Sequence, residues 1–564
     1  MLAGIDLGTT HSLISRWTDD GPQLIPNAFG EWLTPSVVAV DDEGRILTGR
    51  AAQERLLSHP EQAVAAFKRY MGTDRVTKLG QHAFRPEELS ALVLKSLIAD
   101  VEAHTGEKVE EAVISVPAYF SDAQRKATRH AGELAGIRVD RLINEPTAAA
   151  LAYGLEQRHV ESRFLVIDLG GGTFDVSVLE LFDGVMEVHA TAGDNFLGGE
   201  DFTDTLVVAC LDDLKIARGT LGLADSTELH ARLERLKRQL GAQPASTELR
   251  LGGATQRWAI DEARFEQLAA PLLARMRTPI ERALRDARLS ASDLAEIVLV
   301  GGASRMPMVT RLVTRMFGRL PLRHVNPDEA IARGTAVMAG LKQRAASLEE
   351  IVMTDVCPYT LGIETSAATP SGHRELGLYS PIIERNTTVP TSRANVYSPA
   401  SDYQKVLKLR VFQGESARVV NNVFLGELSI ELPHAKAAET PVEVRFTYDV
   451  NGLIEVEATI LSTKAKHRLA IQQNPGLLSD AEVAERLAAL AHLKVHPRDD
   501  QANLAIIAQA ERLYEERSGD LRQQIGQWLL AFRAELDSQD PPRIRAAQKR
   551  MLELIERVEA DSPL

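Results

Sequence analysis

The chain has 564 residues, of which 44% are apolar and 25% charged, so neither a disordered chain nor a coiled-coil rod fits its composition. At about 150 residues per domain, this length predicts roughly three to four domain-sized units. The formal net charge of −14 repels polyphosphate backbones and argues against bulk nucleic-acid binding.

The two cysteines, Cys210 and Cys357, lie far apart and show no metal-ligand or redox spacing. They indicate neither a disulfide framework nor a zinc site, and they favour a reducing compartment. No secretory pattern precedes the first apolar strand, and no window reaches about 18 uninterrupted apolar residues. We therefore expect a cytoplasmic protein that does not span a membrane.

A short pattern of strand, Asp, glycine-rich turn and strand occurs twice, at residues 2–15 and 164–181. Apolar alternation after the second turn predicts a β-hairpin. It does not fit the strand-to-helix geometry of a P-loop or a dinucleotide fingerprint. The repeat implies two related lobes.

Helical and β-branched stretches alternate through the first 346 residues. Helical periods cover 87–103, 122–135, 226–240 and 308–317, and apolar strand-like runs cover 112–116 and 296–300. This alternation predicts a mixed α/β architecture.

The pattern changes at residues 347–356, a short stretch without a sustained period that we interpret as a linker. Beyond it strands dominate: residues 406–413 alternate, and residues 442–460 predict a hairpin. In that hairpin Asn451-Gly452 supplies the positive φ of a tight turn.

After Pro475-Gly476 the sequence predicts helices to the end of the chain. A capping-box spacing lies at 479–482, and breaks at Pro497, 518–519 and 541–542 divide the tail into short helices.

Asp6 and Asp168 each end a strand and precede a turn of Gly and Thr. Glycines let the backbone approach a ligand closely, and amides arranged as a nest bind anions. The carboxylates would hold Mg²⁺ through water, because this ion keeps much of its hydration shell. Either turn alone is compatible with an ordinary hairpin, but the pair together favours a phosphate site.

The two hairpins resemble the phosphate loops shared by actin, sugar kinases and DnaK-type heat-shock chaperones. Residues 113–137, 141–155, 193–202 and 325–334 resemble the DnaK-type, seventy-kilodalton heat-shock family specifically, as do 355–365, 386–391 and 411–415. The resemblance covers about residues 2 to 480, and the helical tail matches only in kind.

The resemblance implies an α/β actin-like two-lobed ATPase domain (1–346), a linker (347–356), a β-sandwich peptide-binding domain (357–478) and a short helical lid (479–564). It implies an ATP-dependent chaperone of unfolded proteins that uses ATP/ADP, Mg²⁺ and K⁺. Extended client peptides and a J-domain co-chaperone are the implied partners, with no nucleic acid and no membrane.

Residue by residue, the resemblance also implies a site. The catalytic and Mg²⁺-organising positions match Asp6, Lys68, Glu145, Asp168 and Thr173. Nucleotide-binding positions match Gly8, Thr9, Thr10, His11, Gly170, Gly171, Gly172, Asp175, Gly198, Gly199, Glu234, Lys237, Arg238, Gly241, Gly301, Gly302, Arg305 and Asp328.

Two further sets follow from the same resemblance. Positions that relay nucleotide state or receive a J-domain protein match Pro117, Arg125, Arg141 and Asp355. The peptide pocket matches Leu361, Ile363, Tyr397, Leu407 and Leu409, with Ser366 and Ala400 over the peptide. A buried sandwich core is the plain alternative for the aliphatic members, and surface ion pairs are the alternative for the charged relay residues.

The sequence departs from the family pattern in places. His11, Gly241, Ala303 and Ser366 replace residue types that are usual there, and Thr354 interrupts a linker that is normally more aliphatic. The chain is shorter than DnaK between residues 72 and 90 and between 240 and 260. The resemblance implies that a GrpE-type exchange factor grips the subdomains trimmed here, so we do not expect this chain to depend on such a factor. With the reduced lid, these features resemble the HscC branch of the family.

Two other functions compete with the peptide-binding chaperone. One is a small-molecule kinase on the same nucleotide fold, which the long β and helical extension argues against. The other is a nucleotide-gated scaffold with slow hydrolysis, dedicated to one partner.

Overall fold

The computed structural model describes residues 1–154, 162–182, 185–217, 219–241, 243–251, 254–322, 325–345, 348, 352–368, 374–449, 452–471, 497–499 and 501–560. The chain forms two compact units. The first comprises Met1–Thr360, Glu384–Val389 and Val450–Gly452, and the second Leu361–Ile383, Pro390–Asp449 and Leu453–Leu564. The division of the sequence into four segments, with boundaries after residues 346, 356 and 478, stays a prediction.

The first sheet of the first unit runs in the order β11-β10-β1-β2-β3, with β4 beside β2. Its strands and the small strands near it are β1 (Leu2–Asp6), β2 (His11–Thr18), β3 (Gly21–Ile25), β4 (Thr34–Pro35), β5 (Val37–Val40), β6 (Ile46–Thr48), β7 (Ala63–Ala65), β8 (Thr77–Leu79), β9 (His82–Phe84), β10 (Glu111–Val116) and β11 (Arg138–Asn144). The helices of this part are α1 (Gly49–Ser58), α2 (Pro86–Thr105), α3 (Asp122–Ala135) and α4 (Glu145–Gly154).

The second sheet of this unit runs in the order β17-β12-β13-β14-β18-β21. The strands here are β12 (Ser162–Leu169), β13 (Phe174–Phe182), β14 (Val185–Asp194), β15 (Ala245–Leu251), β16 (Ala254–Ile260), β17 (Glu296–Val300), β18 (Val352–Val356) and, later in the chain, β21 (Thr388–Val389). The helices are α5 (Gly199–Asp213), α6 (Leu223–Gln239), α7 (Glu262–Ala287), α8 (Pro307–Phe317) and α9 (Ala330–Lys342).

Both predicted hairpins are present. β1 pairs antiparallel with β2, and β12 pairs antiparallel with β13, while β10 and β17 add parallel neighbours. The mixed α/β prediction is therefore confirmed. Each sheet contributes to an apolar core of its own, with Ile5 and Ile114 in the first and Leu165 and Phe202 in the second, and a third cluster contains residues of both sheets.

Helices α4 and α9 pack directly against each other. A Cβ added at Gly334 of α9 would lie 1.7 Å from the carbonyl oxygen of Ala148 in α4, so only glycine permits this approach. The contact positions Glu145, the first residue of α4, at the end of the first sheet.

Part of the predicted linker is a strand, which the sequence pattern did not reveal. Strand β18 pairs parallel with β14, placing Thr354 opposite Glu187, and pairs antiparallel with β21. Five residues are too few to show a strand period, and both partners lie far away in the sequence.

The second unit contains two four-stranded antiparallel sheets, β20-β19-β23-β24 and β22-β25-β26-β27. Its strands are β19 (Leu361–Ala368), β20 (Arg374–Ile383), β22 (Thr391–Tyr397), β23 (Val406–Gln413), β24 (Val423–Glu431), β25 (Val442–Tyr448), β26 (Ile454–Ile460) and β27 (Lys466–Ile471). The predicted hairpin is the β25–β26 pair, and Gly452 has a φ of +83°. Asn451 lies outside the described residues.

Three helices follow: α10 (Gln501–Glu516), α11 (Gly519–Asp537) and α12 (Pro541–Ala560). Their breaks coincide with the predicted ones at 518–519 and 541–542, and they share a small apolar core. The predicted capping box at 479–482 lies outside the described residues. Among those described, no helix combines the length and apolar character needed to cross a membrane.

Candidate functional site

A cavity of about 320 Å³ lies in the first unit, where the glycine-rich turns of both sheets meet. Most predicted nucleotide and catalytic residues line it. These are Asp6, Gly8, Thr9, Thr10, His11, Lys68, Glu145, Asp168, Gly170, Gly171, Thr173, Gly199, Glu234, Lys237, Arg238, Gly301, Gly302, Arg305 and Asp328.

An ion pair between Lys68 and Glu145 lines this cavity. Lys68 sits in the 3-10 turn Phe67–Tyr70, and its Nζ donates to Oε1 of Glu145 at 2.6 Å. Their side chains are only 4% and 7% exposed, so the pair is held in fixed geometry away from bulk water.

Three further carboxyl groups surround this pair. Burial, followed by the charge of Glu145, raises the pKa of Asp6 to about 7 and that of Asp175 to about 8. The same two causes raise the pKa of Asp168 well above its usual range. Lys68 alone does not offset this negative charge, so the cluster favours binding of an added cation.

The donor set fits Mg²⁺ held largely through water. Both carboxylate oxygens of Asp168 are buried and have no hydrogen-bond partner within the described part of the chain. Asp6 keeps one bond, from the hydroxyl of Ser115 at 2.9 Å. No group of three or more described His, Cys, Asp or Glu residues is arranged to bind a metal directly. Water and phosphate oxygens complete such a site for Mg²⁺.

Gly301 brings the third glycine-rich turn against Asp168. It has a φ of +80°, and an added Cβ would lie 2.5 Å from Oδ1 of Asp168. A side chain here would be strained and would displace the carboxylate.

Helix α6 supplies the charged face predicted for the adenosine side. Nζ of Lys237 donates to the carbonyl of Gly199 at 2.7 Å and to Oγ1 of Thr203 at 2.9 Å. Burial opposes ionisation of Glu234, but the charge of Lys237 and hydrogen bonds outweigh it and lower the pKa of Glu234. Across the cavity, Nη2 of Arg305 lies 2.7 Å from Asp328.

Four residues of the predicted site do not line the cavity: Gly172, Asp175, Gly198 and Gly241. A Cβ added at Gly172 would lie 2.7 Å from Cγ2 of Thr9, and one added at Gly198 would lie 2.5 Å from the backbone of Gly171, so both glycines permit close packing of the glycine-rich turns. Asp175 accepts a hydrogen bond from the backbone N–H of Tyr119 at 3.0 Å, and so ties the second turn to the segment after β10.

The predicted relay residues lie close together. Nη2 of Arg125 donates to Oδ1 of Asn144 at 2.6 Å. The amide nitrogen of Asn144 donates in turn to both oxygens of Asp355, at 3.1 and 3.0 Å. Burial raises the pKa of Asp355, while the charges of Arg125 and Arg141 oppose this. Pro117 accepts a backbone hydrogen bond from Phe120 at the start of this segment.

The predicted peptide residues divide by exposure. Leu361, Ile363 and Leu409 are at most 2% exposed and belong to the core of the second unit. Leu407, Tyr397 and Ser366 are partly exposed, and Ala400 is exposed. The hydroxyl of Tyr397 lies 2.9 Å from Oγ of Ser380.

Sequence reasoning missed several residues of the site. Glu200 and the apolar residues Leu13, Leu33, Leu240, Met306, Pro307, Pro327 and Ile331 also line the cavity. Glu200 follows the predicted Gly199 directly, so its position was the available signal, whereas the apolar residues carry no chemical pattern. Asn144 precedes Glu145 and was likewise missed.

Comparisons with known proteins agree with this geometry. The family model described as Hsp70 protein matches residues 2–78 and 74–560. The chain is 38% identical over 581 residues to the chaperone protein DnaK of Thermotoga neapolitana, covering 96% of this chain and 94% of that protein. The DnaK proteins of Thermotoga petrophila and Thermotoga maritima match with the same identity and coverage. The chain therefore belongs to the Hsp70 family and is an ATP-hydrolysing molecular chaperone.

Proposed function

We propose that ATP hydrolysis in the first unit controls the binding and release of extended apolar client segments by the β-sandwich. The observation that carries this proposal is the buried Lys68–Glu145 pair, which lies among Asp6 and Asp168 in the cavity. Such an arrangement suits phosphoryl transfer to water, which proceeds by positioning and charge neutralisation without a covalent intermediate.

In this proposal each residue has one task. Lys68 and Glu145 orient the attacking water, and their mutual hydrogen bond keeps both side chains in place. Asp6 and Asp168 hold the hydrated Mg²⁺, which when bound neutralises charge on the phosphate oxygens. The backbone of the two glycine-rich turns binds the phosphates. The walls of the cavity that contain Arg305 and Lys237 enclose the adenosine.

We further propose that the nucleotide state reaches the sandwich through strand β18. Asp355 of β18 is bonded to Asn144, whose neighbour in the chain is Glu145. A ligand that binds two conformations unequally shifts their populations, so ATP and client would affect each other's affinity. A J-domain protein would bind at Arg141 and Asp355. We place this cycle in the cytoplasm, and we expect K⁺ to bind with Mg²⁺ and the nucleotide.

The family departures favour a specialised member resembling the HscC branch. Ala303 lines the cavity without the hydroxyl that is common there, which removes a possible nucleotide contact. The same observation favours the second candidate, a slow nucleotide-gated scaffold dedicated to one partner.

Single-turnover ATP hydrolysis, with and without a peptide library and a J-domain protein, distinguishes the two. Stimulation by both additions supports the chaperone cycle. Tight ATP binding with slow, unresponsive hydrolysis contradicts it and supports the scaffold.

A further inference from the structure

The resemblance to the family places Ser366 over the bound peptide, at a position expected to be apolar, and the chaperone cycle gives no reason for this hydroxyl. In the structure Oγ of Ser366 accepts a hydrogen bond from Nε of Arg374 at 3.1 Å. Nη1 of the same guanidinium donates to the carbonyl oxygen of Ala400 at 2.6 Å. One arginine thus joins the two residues predicted to arch over a bound peptide.

Local structure explains why these groups meet. Arg374 begins β20 and pairs with Ala368 near the end of β19, and the register shifts between Thr365 and Ala367. This irregularity falls at Ser366, and such a bulge re-aims a side chain out of the regular ladder.

Ala400, the second residue predicted to lie over the peptide, is also held in place. The backbone N–H of Ala400 donates to Oε1 of Gln404 at 3.0 Å, and Nε2 of Gln404 donates to the carbonyl of Val406 at 2.8 Å. The carbonyl of Ala400 is therefore held at a defined position for Arg374.

The guanidinium of Arg374 retains N–H donors that make no hydrogen bond to Ser366 or Ala400. Two of the five N–H groups of a guanidinium make the bonds to Ser366 and Ala400, and the side chain is exposed. Within the described residues, Arg374 forms no ion pair with a carboxylate. The nearby Glu364 is paired with Arg410, and Glu375 with Arg418. The adjacent stretch 369–373 contains no acidic residue.

We propose that Arg374 determines client specificity by selecting apolar segments flanked by Asp or Glu side chains. The inference rests on the proposed peptide-binding function. A carboxylate next to the apolar centre of a client would reach the free side of the guanidinium, where planar N–H donors match its geometry. A Lys at the same client position would be repelled.

Three fluorescent peptides test this, with one leucine-rich core and flanking residues that are Glu, Gln or Lys. Their Kd values are measured by anisotropy on the full chain with ADP and Mg²⁺. We expect the Glu peptide to bind about threefold to tenfold more tightly than the Lys peptide at low salt, with the difference shrinking as salt is added.

Two variants locate the cause of the preference. Arg374→Gln is expected to abolish it, while Lys466→Gln removes the same charge from another exposed position of the second unit and is expected to retain it. Both side chains are exposed, and thermal unfolding checks that each variant folds.

The outcomes separate this inference from the proposed function. Peptides that bind without a charge preference, or a preference that survives Arg374→Gln, overturn the role of Arg374 alone. Failure of all three peptides to bind overturns the proposed peptide-binding function, and the inference with it.

Discussion

The side-chain amide of Asn144 lies 3.1 and 3.0 Å from the two carboxylate oxygens of Asp355, although 211 positions separate the two residues in the chain. Asn144 ends β11, and Glu145 begins α4. The residue that holds strand β18 is therefore covalently adjacent to the residue that pairs with Lys68.

Asn144→Ala is expected to loosen β18, because the partly buried Asp355 would lose the side-chain amide of Asn144 and keep only the backbone N–H of Val356 among its described hydrogen-bond donors. Hydrogen exchange of residues 352–356 should accelerate by about fivefold or more, while β12 is unaffected. Mass spectrometry of the ATP-bound protein measures this. Unchanged protection of β18 would show that its backbone pairing alone holds it.

Lys68→Ala is expected to lower single-turnover ATP hydrolysis by more than about tenfold while ATP still binds. The reason is that Glu145 loses the donor 2.6 Å from its Oε1 and the attacking water loses its orientation. Quenched-flow hydrolysis and a separate titration with ATP measure the two effects. The exposed Lys95 on α2 provides the control Lys95→Ala, and equal rates for the two variants would remove Lys68 from the mechanism.

His11 should make the nucleotide-free protein less stable in acid. Burial of the ring, followed by the charge of Arg238, lowers its pKa to about 4. Since the unfolded state takes up this proton near pH 6.5, the stabilisation is complete above that pH and is lost as the pH falls toward about 4.

Urea denaturation of wild type and His11→Asn at several pH values measures this contribution. The wild-type free energy of unfolding should fall more steeply between pH 6.5 and about 4 than that of the variant. His104→Asn, at an exposed position, is the control. Parallel curves for wild type and His11→Asn would contradict the expectation.

A GrpE-type exchange factor is expected not to accelerate ADP release. In the described residues, the shortened segments contain the two-stranded pairs β8–β9 and β15–β16 and the start of α2, which leaves little surface to grip. Stopped-flow release of fluorescent ADP, with and without the factor, decides this. A several-fold faster release of ADP in the presence of the factor would contradict this expectation.

Gly334→Ala is expected to destabilise the first unit by about 2 to 4 kcal/mol, because the new methyl would overlap the carbonyl of Ala148 and force α4 from α9. Calorimetry of the ATP-free protein measures the effect on Tm. Gly222→Ala, where no atom lies within 4 Å of the added Cβ, serves as the matched control. A variant as stable as this control would mean that the helices relax freely.

The sequence predicted features that are local and missed those that depend on distant partners. Helix α3 has the predicted bounds because Ser121 begins it with a capping box and Gly136, at a φ of +90°, ends it. The sequence pattern predicts a linker where strand β18 lies, because the two partners of β18 lie elsewhere in the chain.

The site shows the same division. The glycine-rich turns can be predicted from their composition, and in the structure they lie together with Lys68 around one cavity. Asn144 and Arg374 carry no motif, since each acquires its role from a hydrogen-bond partner that no spacing reveals.

Strand β18 pairs with β14 through residues 352–354 and with β21 through residues 355–356. If β18 withdraws, β14 becomes an open sheet edge whose unpaired amides and carbonyls can capture an extended segment of another chain. Glu187 and His189, two of the polar side chains of β14, would then be groups that discourage such pairing. A chaperone in which β18 leaves the sheet would therefore have to keep the exposed edge of its own strand β14 from pairing with another chain.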